Sequence, residues 1–124
     1  ALGCRLHLVH PLGYTLSDTN LKRAGMDYWP MLEKVEHPCV QDWMASLPTA
    51  APVFLLSTHG TLDFSPREVP AGAFLVFGNE GHGLPQEVHA RWAGTCRRVP
   101  MDARARSLNL ASCVSLVLGS LLLA

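Results

Sequence analysis

No two cysteines in this sequence stand two residues apart, no histidines have H-E-x-x-H spacing, and neither a Gly-Lys-Ser/Thr loop nor a Gly-x-Ser-x-Gly elbow occurs. The four scattered cysteines (Cys4, Cys39, Cys96, Cys113) exclude a zinc knuckle and a dense disulfide scaffold, and they read as reduced thiols of a cytoplasmic protein. The six histidines (His7, His10, His37, His59, His82, His89) show no paired ligand spacing, so no metal is expected. Without a Walker lysine or a nucleophile elbow, kinase and serine-hydrolase chemistry lose their main support. Net charge is also missing: 10 basic and 10 acidic residues balance, which argues against a general cationic surface for nucleic acid. The apolar closing run from Leu108 is broken by Asn109, Ser112, Ser115, Gly119 and Ser120 and falls short of the ~20 apolar residues of a membrane span.

What is present fits one domain over residues 1–124, with 48% hydrophobic residues to build a modest core. The chain starts at Ala1 without methionine and turns apolar almost at once, so a trimmed N-terminus is expected. Balanced overall, the charge is uneven locally. Arg91, Arg97, Arg98, Arg104 and Arg106 face the single acid Asp102, and this basic stretch reads either as a phosphate-facing surface or as solvated arginine.

Residues 5–10 alternate as a strand and end at the turn Pro11-Leu-Gly13. Ser17-Asp-Thr-Asn20 offers caps for a short helix ending near Gly25, and a short strand is expected over residues 31–35. Val40, Trp43, Met44 and Leu47 have the spacing of an amphipathic helix over residues 39–47, stopped by Pro48. Val53-Phe-Leu-Leu56 and Ala73-Phe-Leu-Val-Phe77 are compact apolar runs that fit buried strands of a parallel sheet. A helix entered through Pro85, a last short strand over residues 96–99 and a terminal helix capped by Ser107 complete the order β-α-β-α-β-β-α-β-α, an α/β sandwich.

Ligands of open parallel sheets bind at the carboxyl ends of strands, where three turn segments fall here: residues 57–60, 78–83 and 100–107. Their convergence would make one pocket. Gly78, Gly81 and Gly83 permit positive φ and close backbone approach, as a nucleoside held by main-chain groups requires, although each alone is equally a tight turn. Glu80 within that loop is either an orienting carboxylate or a surface acid. Ser107 and Asn109 either meet a polar ligand edge at the start of the last helix, or Ser107 simply caps it with Asn109 exposed in the first turn. The apolar stripe of that helix (Leu110, Val114, Val117, Leu118, Leu121) is buried within one subunit or partly against a second.

Taken together, these segments closely resemble the SPOUT (SpoU) superfamily of RNA 2′-O-ribose methyltransferases. Phe77-Gly-Asn-Glu-Gly-His-Gly-Leu84 resembles its second motif, and Val99-Pro-Met101 with Ser107-Leu-Asn-Leu-Ala-Ser112 its third. Gly3-Cys-Arg-Leu-His-Leu8, Pro11-Leu-Gly13 and Leu21-Lys-Arg-Ala-Gly-Met-Asp-Tyr28 are similar to the single-domain branch that methylates the wobble nucleotide of tRNA. The resemblance implies a parallel α/β fold with a C-terminal deep trefoil knot, and S-adenosylmethionine cradled around Leu56, Gly78, Val99 and Ser107. It implies catalytic roles for Glu80, Ser107 and Asn109, a homodimer, and tRNA or rRNA as substrate. Arg104 and Arg106 would meet RNA phosphate, an expectation from charge.

Two departures accompany the resemblance. The family's first motif, which carries an Asn and an Arg, is expected before Ala1, and His82 stands where the wobble branch often has arginine. Other functions compatible with the sequence are a non-catalytic RNA- or cofactor-binding module and an unrelated nucleotide-binding α/β domain.

Overall fold

The computed structural model describes residues 3–10, 33–79, 82–101 and 109–123. The chain divides into two compact units, residues 1–48 and 49–124.

In the first unit, strand β1 (Leu6–Val9) pairs in parallel with β2 (Lys34–His37), Leu6 opposite Lys34 and Val9 opposite His37. The expected strand over residues 31–35 thus lies further along the chain, beginning at Lys34. Side chains explain the position better than apolar pattern does. Arg5 bonds Glu33, His7 Nδ1 sits 3.0 Å from His37 Nε2, and His10 Nε2 sits 3.2 Å from Glu36. Helix α1 (Val40–Ser46) follows and buries Trp43, the central residue of its apolar spacing. It closes where Leu47 turns extended, as the residue before Pro48 must to avoid the proline ring. The helix expected near residues 17–25 lies outside the described residues.

The second unit is a four-stranded sheet in the order β4-β6-β3-β5, with β3 (Val53–Leu56), β4 (Leu62–Asp63), β5 (Phe74–Phe77) and β6 (Cys96–Arg98). Every pairing is parallel. β3 lies between β6 and β5 and all four of its residues are buried, which is why Val-Phe-Leu-Leu reads as a continuous apolar run. Helix α2 (Gln86–Arg91) follows Pro85 and buries Val88. Helix α3 (Leu110–Leu123) drives Val117 against Leu56 and Val99, with Phe64, Leu75, Phe77 and Cys113 packed around them.

Three features of this unit differ from expectation. The two-residue strand β4 and the short 3-10 turns Pro66–Glu68 and Ala93–Thr95 are too brief to carry a periodic signal. The terminal helix begins at Leu110 rather than beside Ser107, and its cap is Asn109. The Asn109 side-chain oxygen accepts the Ser112 N–H at 3.3 Å, while its carbonyl accepts the Cys113 N–H at 2.9 Å. Asparagine caps as well as serine does, so cap preference alone does not favour Ser107 over Asn109. Among the described residues no helix is long and apolar enough to cross a membrane.

Candidate active site at the strand carboxyl ends

The turn leaving β3 is tied to β6. Ser57 donates its N–H to the Arg97 carbonyl at 3.0 Å, Ser57 Oγ accepts from His59 N–H at 3.1 Å, and Gly60 N–H returns to the Ser57 carbonyl at 3.1 Å. Gly60 has no room for a side chain: a Cβ there would stand 2.6 Å from the Arg97 carbonyl carbon. The turn leaving β5 is closed by a reciprocal pair, Asn79 N–H to Gly83 O at 3.1 Å and Gly83 N–H to Asn79 O at 2.7 Å. Its two described glycines divide the work. Gly83 adopts φ +67°, whereas a Cβ on Gly78 would meet Gly83 backbone carbon at 2.5 Å and Leu84 nitrogen at 2.7 Å. Asn79 Oδ1 accepts from His82 N–H at 3.3 Å and helps fix the loop.

These turns and the start of α3 surround a cavity of about 570 Å³. Leu56, Phe77, Val99, Met101 and Leu110 give it apolar walls, and His59, Asn79, His82, Arg98 and Asn109 supply polar groups. Arg98 is partly neutralised by Asp63, whose Oδ1 accepts from its Nη2 at 3.1 Å and its Nε at 3.3 Å. Cys113 also lines the cavity, and burial pushes its thiol above the usual range. On β6, burial likewise raises the Cys96 thiol, against smaller opposing pulls from the Ser57 side chain and Arg97. Among the described residues no three His, Cys, Asp or Glu side chains cluster as metal ligands would.

Of the residues singled out from sequence, Leu56, Gly78, Val99 and Asn109 all line this one cavity. Glu80, Gly81, Arg104, Arg106 and Ser107 lie outside the described residues. The three turn segments do converge, through residues 57–59, 78–79, 82–83 and 101. Sequence reasoning placed the 57–60 turn at the site without singling out His59, named Arg98 only within the basic stretch, and gave Asn79 and Cys113 no site role. Their position at a strand end or on the cavity side of a helix was the signal available. Asn109 lines the cavity as expected and also caps α3, the role the sequence reading gave to Ser107. With Oδ1 given to the helix, its Nδ2 group is what the side chain has left to offer a ligand.

Comparison with known proteins decides the family. The model of the SpoU rRNA Methylase family matches residues 1–119. The chain belongs to the SpoU rRNA methylase family. A SpoU relative from Acidovorax sp. (strain JS42), named tRNA (cytidine(34)-2′-O)-methyltransferase, is 40% identical over 118 residues, covering 91% of this chain and 71% of the relative. A solved structure described as structural insights into the 2-OH methylation of C/U34 on tRNA matches with TM-score 0.82 and 39% identity, over 95% of this chain and 72% of that one. An AdoMet-bound rRNA methyltransferase from Sinorhizobium meliloti matches with TM-score 0.71 and 29% identity, over 98% of this chain and 45% of that one. The parallel-sheet α/β fold described above is that of these SpoU methyltransferase structures.

Proposed function

We propose that this chain transfers a methyl group from S-adenosylmethionine to a ribose 2′-hydroxyl of RNA, and that its substrate is the wobble nucleotide, position 34, of tRNA. The observation that carries this reading is the cavity at the ends of β3, β5 and β6 in a SpoU chain whose relatives are named for that reaction. The name of the family and the Sinorhizobium meliloti structure favour rRNA as the second substrate reading.

The residues present fit the cofactor. The cavity has the size of a small-molecule site, its walls combine apolar side chains with polar groups, and Gly78 and Gly83 bring bare backbone to its edge, as a nucleoside held by main-chain groups needs. Leu56, Gly78, Val99 and Ser107 would hold it. When bound, S-adenosylmethionine supplies an electrophilic methyl group on a sulfonium. The work left to the protein is to align the ribose oxygen with that methyl and to help remove a poorly acidic hydroxyl proton. Asn109, at the cap of α3, can donate from Nδ2 to a substrate oxygen. Glu80 and Ser107 are assigned to the same site by motif, and Arg104 and Arg106 to RNA phosphate by charge.

The wider organisation belongs to the same reading. Residues 1–124 would act as one methyltransferase domain, supported by a family match that runs through both compact units. The C-terminal segment would thread the family's trefoil knot. The chain would work as a homodimer in the cytoplasm, and α3 supports the dimer: Leu116, Leu122 and Leu123 are exposed beside Ser112 and Ser115, an apolar and small-residue face that no other described residue covers.

Calorimetry with S-adenosylhomocysteine tests this first, because the demethylated product should bind the same cavity. Binding at one site per chain, weakened by Val99→Asp, is expected. A folded dimer that shows no heat of binding would sink the methyltransferase reading.

A further inference from the structure

We propose that His59, held at the cavity rim against His89, is a positioning residue that contacts a phosphodiester of the RNA substrate when its imidazole is protonated. The inference rests on the methyltransferase reading and adds a named substrate contact to it. His59 lines the cavity and is exposed, so it is available to a ligand too large to enter. Its backbone is fixed three ways: by the Ser57 hydroxyl at 3.1 Å, by the Gly60 to Ser57 bond, and by the close approach of Gly60 to β6. Its ring meets the His89 ring edge to face, with centroids 5.7 Å apart and planes at 89°. Backbone anchoring and ring packing together restrict the rotamer freedom that an exposed side chain loses on binding.

Among the described residues, the titratable and charged groups around this rim are His89 on α2, His82 on the loop after β5, Arg98 on β6 with its partner Asp63 on β4, and the Cys113 thiol on α3. Arg98 already shares its charge with Asp63, so among these groups the histidine ring N–H groups are the donors left to meet a phosphate oxygen. Histidine changes charge between about pH 5 and 8, and an imidazolium N–H to phosphate is a charge-assisted bond. Base stacking fits the rim less well, because the ring of His59 is already engaged by His89.

The test is titration of unfractionated tRNA against wild type, His59→Gln and His59→Lys over a range of salt, at about pH 6 and about pH 8. Each phosphate contact steepens the fall of log affinity with log salt by about 0.7–0.9. Wild type should gain at least that much slope at the lower pH. His59→Gln should gain less than wild type by about 0.7–0.9, and His59→Lys should keep the steeper slope at both pH values. Thermal unfolding of each variant separates lost contact from lost fold, and if the glutamine variant melts early, the lysine variant decides. A glutamine variant that steepens as wild type does, or a lysine variant whose slope still varies with pH as wild type's does, overturns the assignment to His59. If wild type binds neither tRNA nor S-adenosylhomocysteine, the methyltransferase reading fails and takes this inference with it.

Discussion

His7 and His37, 30 residues apart in sequence, face each other across β1 and β2 with Nδ1 and Nε2 separated by 3.0 Å and their rings stacked at 5.3 Å, 12° from parallel. Such a bond requires one facing nitrogen to carry a proton and the other to carry a lone pair. Burial, then the charge of His37, then that of Arg5 hold His7 below the ordinary histidine range. A depressed histidine is neutral in the folded state, so its contribution is complete above the unfolded value of about 6.5 and is lost as pH falls through the lowered folded value. The unfolding midpoint of wild type should therefore drop on acidification from about pH 6.5, and His7→Phe should drop less. Equal losses in the two proteins would remove His7 from the effect.

Arg97 is buried on β6 and grips Glu68 with two bonds, Nε to Oε2 and Nη2 to Oε1, both 3.0 Å. Its remaining donors reach the Gly94 and Cys96 carbonyls. The hydrogen bond from Arg97 is the largest influence holding the Glu68 carboxyl below the usual carboxylate range. Glu68→Gln should cost about 2 kcal/mol in urea unfolding, between the value of an exposed pair and that of a fully buried one, because Glu68 keeps partial solvent access. A depressed carboxylate gives stability that is present above its unfolded value and lost as pH falls through the folded one. The variant should accordingly lose less stability than wild type below about pH 4.5.

Gly78 lies with Gly83 and Leu84 backbone where its Cβ would be, and nothing mobile can yield. Gly78→Ala should destabilise the protein by about 1–3 kcal/mol, as overpacking does, and abolish S-adenosylhomocysteine binding in calorimetry. Gly94→Ala is the control, since a Cβ there meets no atom within 4 Å. An alanine at Gly78 that binds as wild type does would show that the β5 turn is not a cavity wall.

Asn109 combines two roles that substitutions can separate. Asn109→Asp keeps an oxygen for the Ser112 N–H but has no amide N–H to offer, whereas Asn109→Ala loses both. The alanine variant should lose about 1 kcal/mol of stability from the cap and most of its methyl transfer; the aspartate variant should hold its stability and still lose transfer. Transfer that follows stability in both variants would reduce Asn109 to a cap.

The parts of the fold legible in sequence were those whose pattern is local. β3 is a continuous apolar run because both faces of the sheet are covered there, β5 keeps such a run although it is a half-buried edge strand, and α1 shows Trp43 within a helical spacing. β2 was misplaced because Lys-Val-Glu-His has no apolar pattern; its register is set by partners 26 to 30 residues away, the pairs Arg5 with Glu33, His7 with His37 and His10 with Glu36. The site was legible as three turns at strand ends, since glycine and serine mark turns locally. That His59 rests on His89, and that Asn109 both caps and lines, depend on elements brought together by the sheet order β4-β6-β3-β5, which no window of sequence contains.

The most direct test of the central claim is transfer of labelled methyl from S-adenosylmethionine to tRNA, followed by nucleoside analysis of the product. The account predicts label in a 2′-O-methylated nucleoside at the wobble position, lost when that position lacks its 2′-hydroxyl. A chain that binds S-adenosylhomocysteine but leaves tRNA unlabelled, or that places its label on a base, would contradict it.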